Sequence, residues 1–128
     1  MNDILLKIIE KNLYSLKIIS IYLLEVKGKL FIAVLLDGKI KKSTIKVLEN
    51  DLKSNTSKEI KVFNFIDLLA VIQNEFLERG VLILDKNIFE RQKIELRVIK
   101  EYFELKEFRK EIYIKQKQSL DEALNQSD

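Results

Sequence analysis

Carboxylates and lysines are the side chains of this sequence that could support chemistry. Glu25 and Asp37 lie at the two ends of a predicted hairpin, and other acids, Asp67, Asp85 and Glu90, lie where predicted helices or strands begin or end. Acids at such ends commonly cap the backbone or oppose a helix dipole. The spacing therefore favours capping for these acids, and an active site that uses Glu25 and Asp37 is the alternative.

The composition excludes several classes of site. The 128 residues include no Cys and no His, so disulfides, thiolate or imidazole metal ligands and Ser-His pairs are ruled out. The chain carries 23 Lys and Arg against 20 Asp and Glu, a net charge of +3, which is too small a bias to indicate nucleic-acid binding by itself. Any reaction must use carboxylates, lysines or hydroxyl groups.

Six lysines flank the predicted hairpin. They are Lys27, Lys29, Lys39, Lys41, Lys42 and Lys46. Together they could form a basic patch for the phosphates of a nucleic acid. No motif that reads a nucleic-acid groove accompanies them, so a solvated surface is the favoured interpretation and a nucleic-acid-binding regulatory module is the alternative.

The elements that must position these side chains begin with a helix and a hairpin. Apolar residues at helical spacing predict a helix over 3–16. Two apolar, β-branched segments, 18–26 and 30–36, are separated by Lys27-Gly28-Lys29, which suits a tight turn. We therefore expect two antiparallel strands directly after the first helix.

Helices and strands alternate in the rest of the chain. The predicted elements are a helix from Ser43 to Leu52, a strand over 59–65, a helix over 68–79, a strand over 81–84 and a helix from Asn87 to about Gln118. Ser43 and Asp67 are positioned as N-caps, and Gly80 as a left-handed terminator. The order predicts an α+β fold, with a small mixed β-sheet, flanking helices and a long C-terminal helix. We expect one domain over 1–118 and a frayed tail over 119–128.

The last predicted helix has two apolar faces when its residues are placed at 100° intervals. One face carries Phe89, Leu96, Ile99, Phe103 and Ile114; the other carries Ile94, Val98, Leu105, Phe108 and Ile112, with Tyr102 at its edge. A straight helix of this length spans roughly 45 Å, so we expect its C-terminal half to overhang the domain and to bind a partner. The alternative is a helix that bends back and buries both faces in the monomer.

The sequence shows no membrane-targeting signal. The apolar run from Ile18 to Leu36 is interrupted by Glu25, Lys27 and Lys29, and the N-terminus lacks a basic region. We therefore expect a cytoplasmic protein that does not contact a membrane.

Several segments resemble one known domain. They are IKVFNF at 60–65, NEFLERG at 74–80, VLILD at 81–85 and VIKEYFELK at 98–106, preceded by IYLL at 21–24 and IAVLLD at 32–37. This pattern is similar to the minimal nucleotidyltransferase (MNT) domain found beside HEPN-domain toxins in prokaryotic toxin-antitoxin pairs. The resemblance covers nearly the whole chain, and it implies a nucleotidyltransferase-like fold in which 21–24 and 32–37 belong to the active-site hairpin.

The chain departs from that family at the nucleotide-binding motifs. The family's Gly-Ser, which opens a helix that holds the phosphates, falls on Glu25 and Val26. A segment of roughly ten residues with the family's basic loop is replaced by Lys27-Gly28, the length of a two-residue hairpin turn. The sequence therefore lacks the phosphate-binding loop that the resemblance leads one to expect.

The metal-binding carboxylates of the family are absent as well. The two aspartates of its Asp-x-Asp motif align with Lys29 and Phe31, and the third carboxylate aligns with Lys61. Nucleotidyl transfer needs divalent metals held by oxygen ligands, which an ammonium group cannot provide. We therefore expect no catalytic residue, no metal and no cofactor. Lys29 and Lys61 are weak candidates for a phosphate contact, and solvated lysines in a decayed site are the favoured interpretation.

The resemblance implies a function by binding. In the family, the antitoxin domain transfers AMP onto a tyrosine of the toxin and also docks against it, and only docking is left here. We expect a catalytically inactive antitoxin or binding partner of a HEPN-type toxin, in a hetero-oligomer, with a homodimer or an active enzyme with a rebuilt site as alternatives. The chain has no His, so it cannot be the toxin, whose nuclease motif requires one. The predicted interface residues are Tyr102, Leu105, Phe108, Ile112 and Tyr113.

Overall fold

The computed structural model describes residues 2–108 and 110–125, with the side chains of 2–106 and 117–124. The elements are α1 (Asn2–Asn12), β1 (Lys17–Val26), β2 (Lys29–Asp37), α2 (Lys42–Thr56), β3 (Ile60–Asn64), a 3₁₀ turn (Phe65–Asp67), α3 (Ala70–Arg79), β4 (Val81–Asp85), α4 (Ile88–Phe108) and α5 (Lys110–Asn125). Across these described ranges, no helix is both long enough and apolar enough to cross a membrane.

The four strands form one mixed sheet in the order β3-β2-β1-β4. β1 pairs antiparallel with both β2 and β4, whereas β2 and β3 are parallel. The parallel pair requires the crossover that α2 supplies, and Glu49 of α2 accepts a hydrogen bond from the outer edge of β3 at the Val62 amide, 2.8 Å away. The predicted α+β class with a small mixed sheet and flanking helices is confirmed.

The predicted tight turn between β1 and β2 is also confirmed. Lys27 and Gly28 are the two loop residues, and their φ angles are 52° and 80°. Two consecutive left-handed residues are the pattern of the turn whose twist matches the strands it joins. Register runs from Val26 opposite Lys29 to Lys17 opposite Asp37, with one irregularity between Ile18 and Ser20.

Apolar side chains cover both faces of the sheet. One face packs against α1 and α2, with Leu5, Ile9, Ile32, Val34, Leu48 and Leu52 fully buried. The other face packs against α3, α4 and α5 and buries Phe31, Ala33, Leu35, Phe65, Phe76, Val98, Leu120 and Leu124. Because strand side chains alternate between faces, the near-continuous apolar runs of β1 and β2 follow from this two-sided burial.

Several predicted helix ends differ from the structure. α1, predicted to run to residue 16, ends at Asn12. α2 begins at Lys42, so Ser43 lies inside the helix, and α3 begins at Ala70, after a 3₁₀ turn that ends at Asp67. Gly80 ends α3 with φ −80° and ψ 168°, which is an extended conformation and not a left-handed one. Gly is needed there for space, since a Cβ would clash with the Phe76 carbonyl oxygen and lie 3.2 Å from the Leu23 carbonyl oxygen.

The C-terminal helical region does not overhang the domain as predicted, because α5 packs against α3 and the core. α4 ends at Phe108, and α5 runs over 110–125 and packs against α3. Residues 119–125, predicted as part of a frayed tail, belong to α5, where Leu120 and Leu124 are only 3% and 7% exposed. The physical reason is that these two leucines, one helical turn apart, lie on the same side of α5 and can both enter the core.

Candidate functional site

The three positions that align with the family's metal carboxylates lie on one face of the sheet. Phe31 of β2 is opposite Lys61 of β3 in the parallel register. Lys29 precedes Phe31 by two residues, so its side chain leaves the strand on the same side. We call this side of the sheet, which carries Lys29, Phe31 and Lys61, the motif face. The three aligned positions are therefore neighbours on one side of the sheet.

The motif face is closed by apolar packing at its centre. Phe31 is 2% exposed and stacks on Phe63 with ring centroids 6.4 Å apart. The space that remains is a cavity of about 40 Å³ lined by Leu24, Phe31, Phe63, Leu68, Ile72, Phe76, Leu120, Ala123 and Leu124. Pockets that hold small-molecule ligands measure roughly 300–1,000 Å³. A nucleotide therefore has no room at this position, and no polar side chain lines it.

α5 is held over the motif face by an ion pair as well as by its leucines. Lys117 of α5 binds the carboxylate of Glu75 on α3, and Arg79 binds the same carboxylate at 3.1 Å. The Glu75 side chain is only 9% exposed, so two cations neutralise a buried charge. A buried carboxylate is costly unless it is paired, and this pairing fixes the position of α5 relative to α3.

The two lysines of the motif face lie at its border. Lys29 forms an ion pair with Glu59 at 3.6 Å, and Lys61 is half-buried beside Phe31. Within the described part of the chain, no group of three or more Asp or Glu side chains is close enough together to hold a metal ion. The phosphate contact through Lys29 and Lys61 stays a prediction.

The alternative site built on Glu25 and Asp37 does not assemble. Glu25 pairs with Leu30 beside the turn, whereas Asp37 pairs with Lys17 at the opposite end of β1. Eight residues of strand separate these pairs, which is about 26 Å. A second cavity of about 290 Å³ includes Asp37, with Asn87 and Glu90, but it lies at the end of the hairpin farthest from Glu25.

The six lysines that flank the hairpin fall into two groups. Lys27 and Lys29 lie at the turn, whereas Lys39, Lys41, Lys42 and Lys46 lie beyond the far end of β2. The length of β2 separates the groups by about 26 Å. The continuous basic patch that the nucleic-acid alternative requires is therefore not present among these six residues.

A polar network that the sequence did not predict ties α4 to the sheet. The Ser20 hydroxyl donates to Asp85 at 2.9 Å, and the Tyr22 hydroxyl donates to Glu95 at 2.8 Å. Arg91 lies between the two carboxylates, 3.0 Å from Asp85 and 2.8 Å from Glu95. The i, i+4 spacing of Arg91 and Glu95 is visible in the sequence. Their partners lie on β1 and β4 and could not be identified from the sequence.

The electrostatics of this network assign it a positioning role. The Arg91 guanidinium holds the pKa of the Asp85 carboxyl below its usual value, with help from the Ser20 hydroxyl. Burial, followed by the hydrogen bond to Glu95, raises the pKa of Tyr22 above its usual value. Tyr22 therefore stays protonated and acts as a donor, and the network fixes the rotation of α4.

The rotation of α4 buries the first part of the helix face that carries the predicted interface residues, whose role stays a prediction. Val98 is 1% exposed and Ile94 is half-buried in the core, and both belong to the face that was predicted to bind a partner. Tyr102 and Leu105 of that face are half-buried. The predicted interface residues Phe108, Ile112 and Tyr113 lie outside the described side chains, so their role stays a prediction. The side of α4 that carries Ile94 and Val98 packs into the core. The side that points outward is therefore the one that carries Phe89, Leu96 and Phe103.

Comparisons with known proteins establish the fold. No family model and no curated protein sequence matches the chain. A crystal structure from Shewanella oneidensis matches with a TM-score of 0.77 and 15% identity, over 87% of this chain and 91% of that chain. The structure of a tri-AMPylated S. oneidensis HEPN toxin in complex with MNT antitoxin matches with a TM-score of 0.74 and 18% identity. That match covers 88% of this chain and 95% of the matched chain. A toxin-antitoxin structure with AMP-PNP matches with a TM-score of 0.74 and 17% identity, over 87% of this chain and 94% of the matched chain. The chain therefore has an MNT-like fold.

Proposed function

We propose that this chain is a catalytically inactive MNT-like protein that acts by binding, as an antitoxin or other partner of a HEPN-type toxin. The observation that carries the proposal is Phe31, which is 2% exposed at the centre of the motif face. A metal-binding carboxylate at this position would need access to water, metal and nucleotide. An aromatic ring packed under α5 offers none of these.

The chemistry of nucleotidyl transfer supports the loss of activity. The reaction requires divalent cations that neutralise a triphosphate and polarise the attacking oxygen, and such hard cations require oxygen ligands. The motif face offers two ammonium groups, Lys29 and Lys61, and an apolar cavity of about 40 Å³. Replacement of the phosphate-binding segment by the turn at Lys27 and Gly28 removes the other half of the site.

The choice of partner is supported by the fold neighbours. The solved structures with which this chain shares its fold include an MNT antitoxin bound to a HEPN toxin. The fold is retained over 88% of this chain at only 18% identity, although the residues for catalysis are replaced. Retention of the scaffold without the metal site is expected for a protein whose remaining task is to occupy a surface of the toxin.

Co-expression with a HEPN-domain toxin from the same organism tests the proposal. We expect the chain to relieve growth inhibition by the toxin and to co-elute with it in size-exclusion chromatography with light scattering. We expect no transfer of label from [α-³²P]ATP to the toxin in the presence of Mg²⁺. The S. oneidensis pair, whose toxin is AMPylated, is the positive control for label transfer.

Two results would contradict the proposal in different ways. Mg²⁺-dependent labelling of the toxin would show that a site has been rebuilt and that the chain is an enzyme. Failure to bind any HEPN protein of the organism, with the chain folded by circular dichroism, would show that the class of partner is wrong.

A further inference from the structure

The outward side of α4 carries a row of large apolar side chains. Phe89, Leu96, Ile99 and Phe103 are 85%, 68%, 38% and 54% exposed, and we call these four residues the outer stripe. Phe89, Leu96 and Phe103 are spaced by seven residues, and Ile99 lies between the last two, so the spacing is that of a helix seam in a coiled coil. The stripe is about 21 Å long. Gln92 occupies the seam position between Phe89 and Leu96, and the row is unbroken from Leu96 to Phe103. Single exposed apolar residues are ordinary, but a row of this kind marks an interaction surface.

The fold holds the outer stripe away from the core. Val98, on the opposite side of α4, is buried, and the ion pairs of Arg91 with Asp85 and Glu95 anchor the same side to the sheet. Rotation of α4 to bury Phe89 or Leu96 would break these contacts. The stripe is therefore a fixed feature of the folded chain.

A basic border runs along one edge of the outer stripe. At 100° per residue, Lys93, Arg97, Lys100 and Glu104 follow one another on the same flank of α4. All four are exposed, and the three cations outnumber the one acid. The Lys93 side chain is 78% exposed and its nearest acid, Glu90, is 3.8 Å away. Ion pairs this exposed contribute little, so the border remains available to acidic groups of another protein.

The charges disfavour a second copy of this chain as the occupant. In an antiparallel pair of α4 helices, corresponding flanks face each other, which sets Lys93 of one copy against Lys100 of the other. In a parallel pair, the lysines would face Glu95, whose carboxylate is already bound by Tyr22 and Arg91. Neither arrangement gives Lys93 and Lys100 an available acidic partner, and like charges across an interface oppose association.

We infer that the outer stripe binds an amphipathic α-helix of a partner protein whose apolar face is bordered by Asp or Glu. The inference rests on the proposed function by binding, and it names the surface and the chemistry of the helix that fits it. Apolar side chains of the partner helix would cover Phe89, Leu96 and Phe103, and its acidic border would lie against Lys93 and Lys100. Complementary flanking charges set the choice and orientation of the partner helix.

Two synthetic helices of 21 residues test the inference directly. Both carry leucines at the seam positions; one has Glu and the other Lys at the flanking positions. Fluorescence anisotropy should show the Glu peptide binding at least about tenfold more tightly than the Lys peptide. Leu96→Ser should weaken binding of the Glu peptide by about tenfold or more, and Lys93→Glu with Lys100→Glu should invert the preference. Val47→Ser, at a 59% exposed apolar position of α2, is the control and should change nothing.

Several outcomes would overturn the inference. Equal binding of the two peptides, or binding that Leu96→Ser leaves unchanged, would show that the stripe does not take an acidic helix. A dimeric mass in light scattering that Leu96→Ser converts to a monomer would assign the stripe to a second copy. If a HEPN toxin still binds the Leu96→Ser variant with full affinity, the proposed function stands and the stripe is not its surface. Stripe-dependent binding of the Glu peptide without binding of any HEPN protein supports the inference and rejects the partner class.

Discussion

Introduction of a carboxylate at position 31 tests whether the motif face is closed. The variant is Phe31→Asp in a Lys61→Met background, which removes the cation opposite Phe31 in the register, while Lys29 is engaged by Glu59. Phe31→Asn in the same background is the matched control, because it loses the same ring and has nearly the same shape as the Asp variant without its charge. The difference between the two variants reports the burial of charge alone.

The magnitude follows from the burial of Phe31. Truncation of a fully buried Phe costs about 3–5 kcal/mol, and a buried polar group without a partner costs about 1–3 kcal/mol more. Both variants should therefore lose about 4–8 kcal/mol of unfolding free energy, which is a large part of the total of about 5–15 kcal/mol for a domain. The Asp variant should lose still more at neutral pH, because burial disfavours the charged carboxyl.

The stability of the Asp variant relative to the Asn variant should fall as the pH rises. Burial raises the pKa of the introduced carboxyl in the folded state above its unfolded value of about 3.9. Below that value the carboxyl is protonated in both states, so the Asp and Asn variants should be equally stable. Above it, the Asp variant should lose about 1.4 kcal/mol per pH unit relative to the Asn variant until the raised pKa is passed.

Urea denaturation of both variants between pH 4 and pH 7.5 is the assay. A variant that is folded at pH 4 and unfolded at pH 7.5 also agrees with the reasoning. Loss of less than about 1 kcal/mol in the Asp variant, the size of an ordinary surface change, with no pH dependence relative to the Asn variant, would refute it. Position 31 would then be open to water.

Three further predictions concern α5, the polar network and the end of α3. Leu124→Ala should lower the unfolding free energy by about 2–4 kcal/mol in urea denaturation, whereas the exposed control Glu122→Ala should stay within about 0.5 kcal/mol; equal effects would mean that α5 is not seated in the core. Because Arg91 lowers the pKa of Asp85, this pair stabilises the fold above pH about 4, and the stabilisation is lost as pH falls through the lowered pKa. Arg91→Gln should therefore reduce the fall of Tm at acidic pH. An unchanged dependence of Tm on acidic pH would contradict the role of this pair. Gly80→Ala should destabilise by about 1–3 kcal/mol in thermal denaturation, since a Cβ there overlaps backbone; an unchanged Tm would reject the close approach.

The sheet was predictable because its signals are local. The turn at Lys27 and Gly28 is set by two residues, and the β-branched apolar runs on either side of it favour strands. Their burial on both faces is a finding of the structure. The order of helices and strands then leaves few ways to connect a small mixed sheet. The motif positions Lys29 and Phe31 could also be placed, because register along β2 follows from the turn.

The C-terminal region could not be predicted from local signals. No Gly or Pro lies between α4 and α5, so periodicity alone extends one helix through both. The seating of α5 on the domain depends on distant contacts, those of Leu120 and Leu124 with the core and of Lys117 with Glu75. The two faces of α4 are similarly apolar, and contacts made by Arg91 with the sheet and by Ile94 and Val98 with the core decide which face is buried. Interactions between residues far apart in sequence leave no local pattern.

Isothermal titration with ATP and Mg²⁺ tests the central claim most directly, because the claim is that no nucleotide or metal site remains on the motif face. The MNT antitoxin of S. oneidensis is the positive control under the same conditions. The account predicts no heat of binding for this chain at millimolar ATP. Micromolar, Mg²⁺-dependent binding would contradict it and would show that the replaced carboxylates have substitutes elsewhere in the protein.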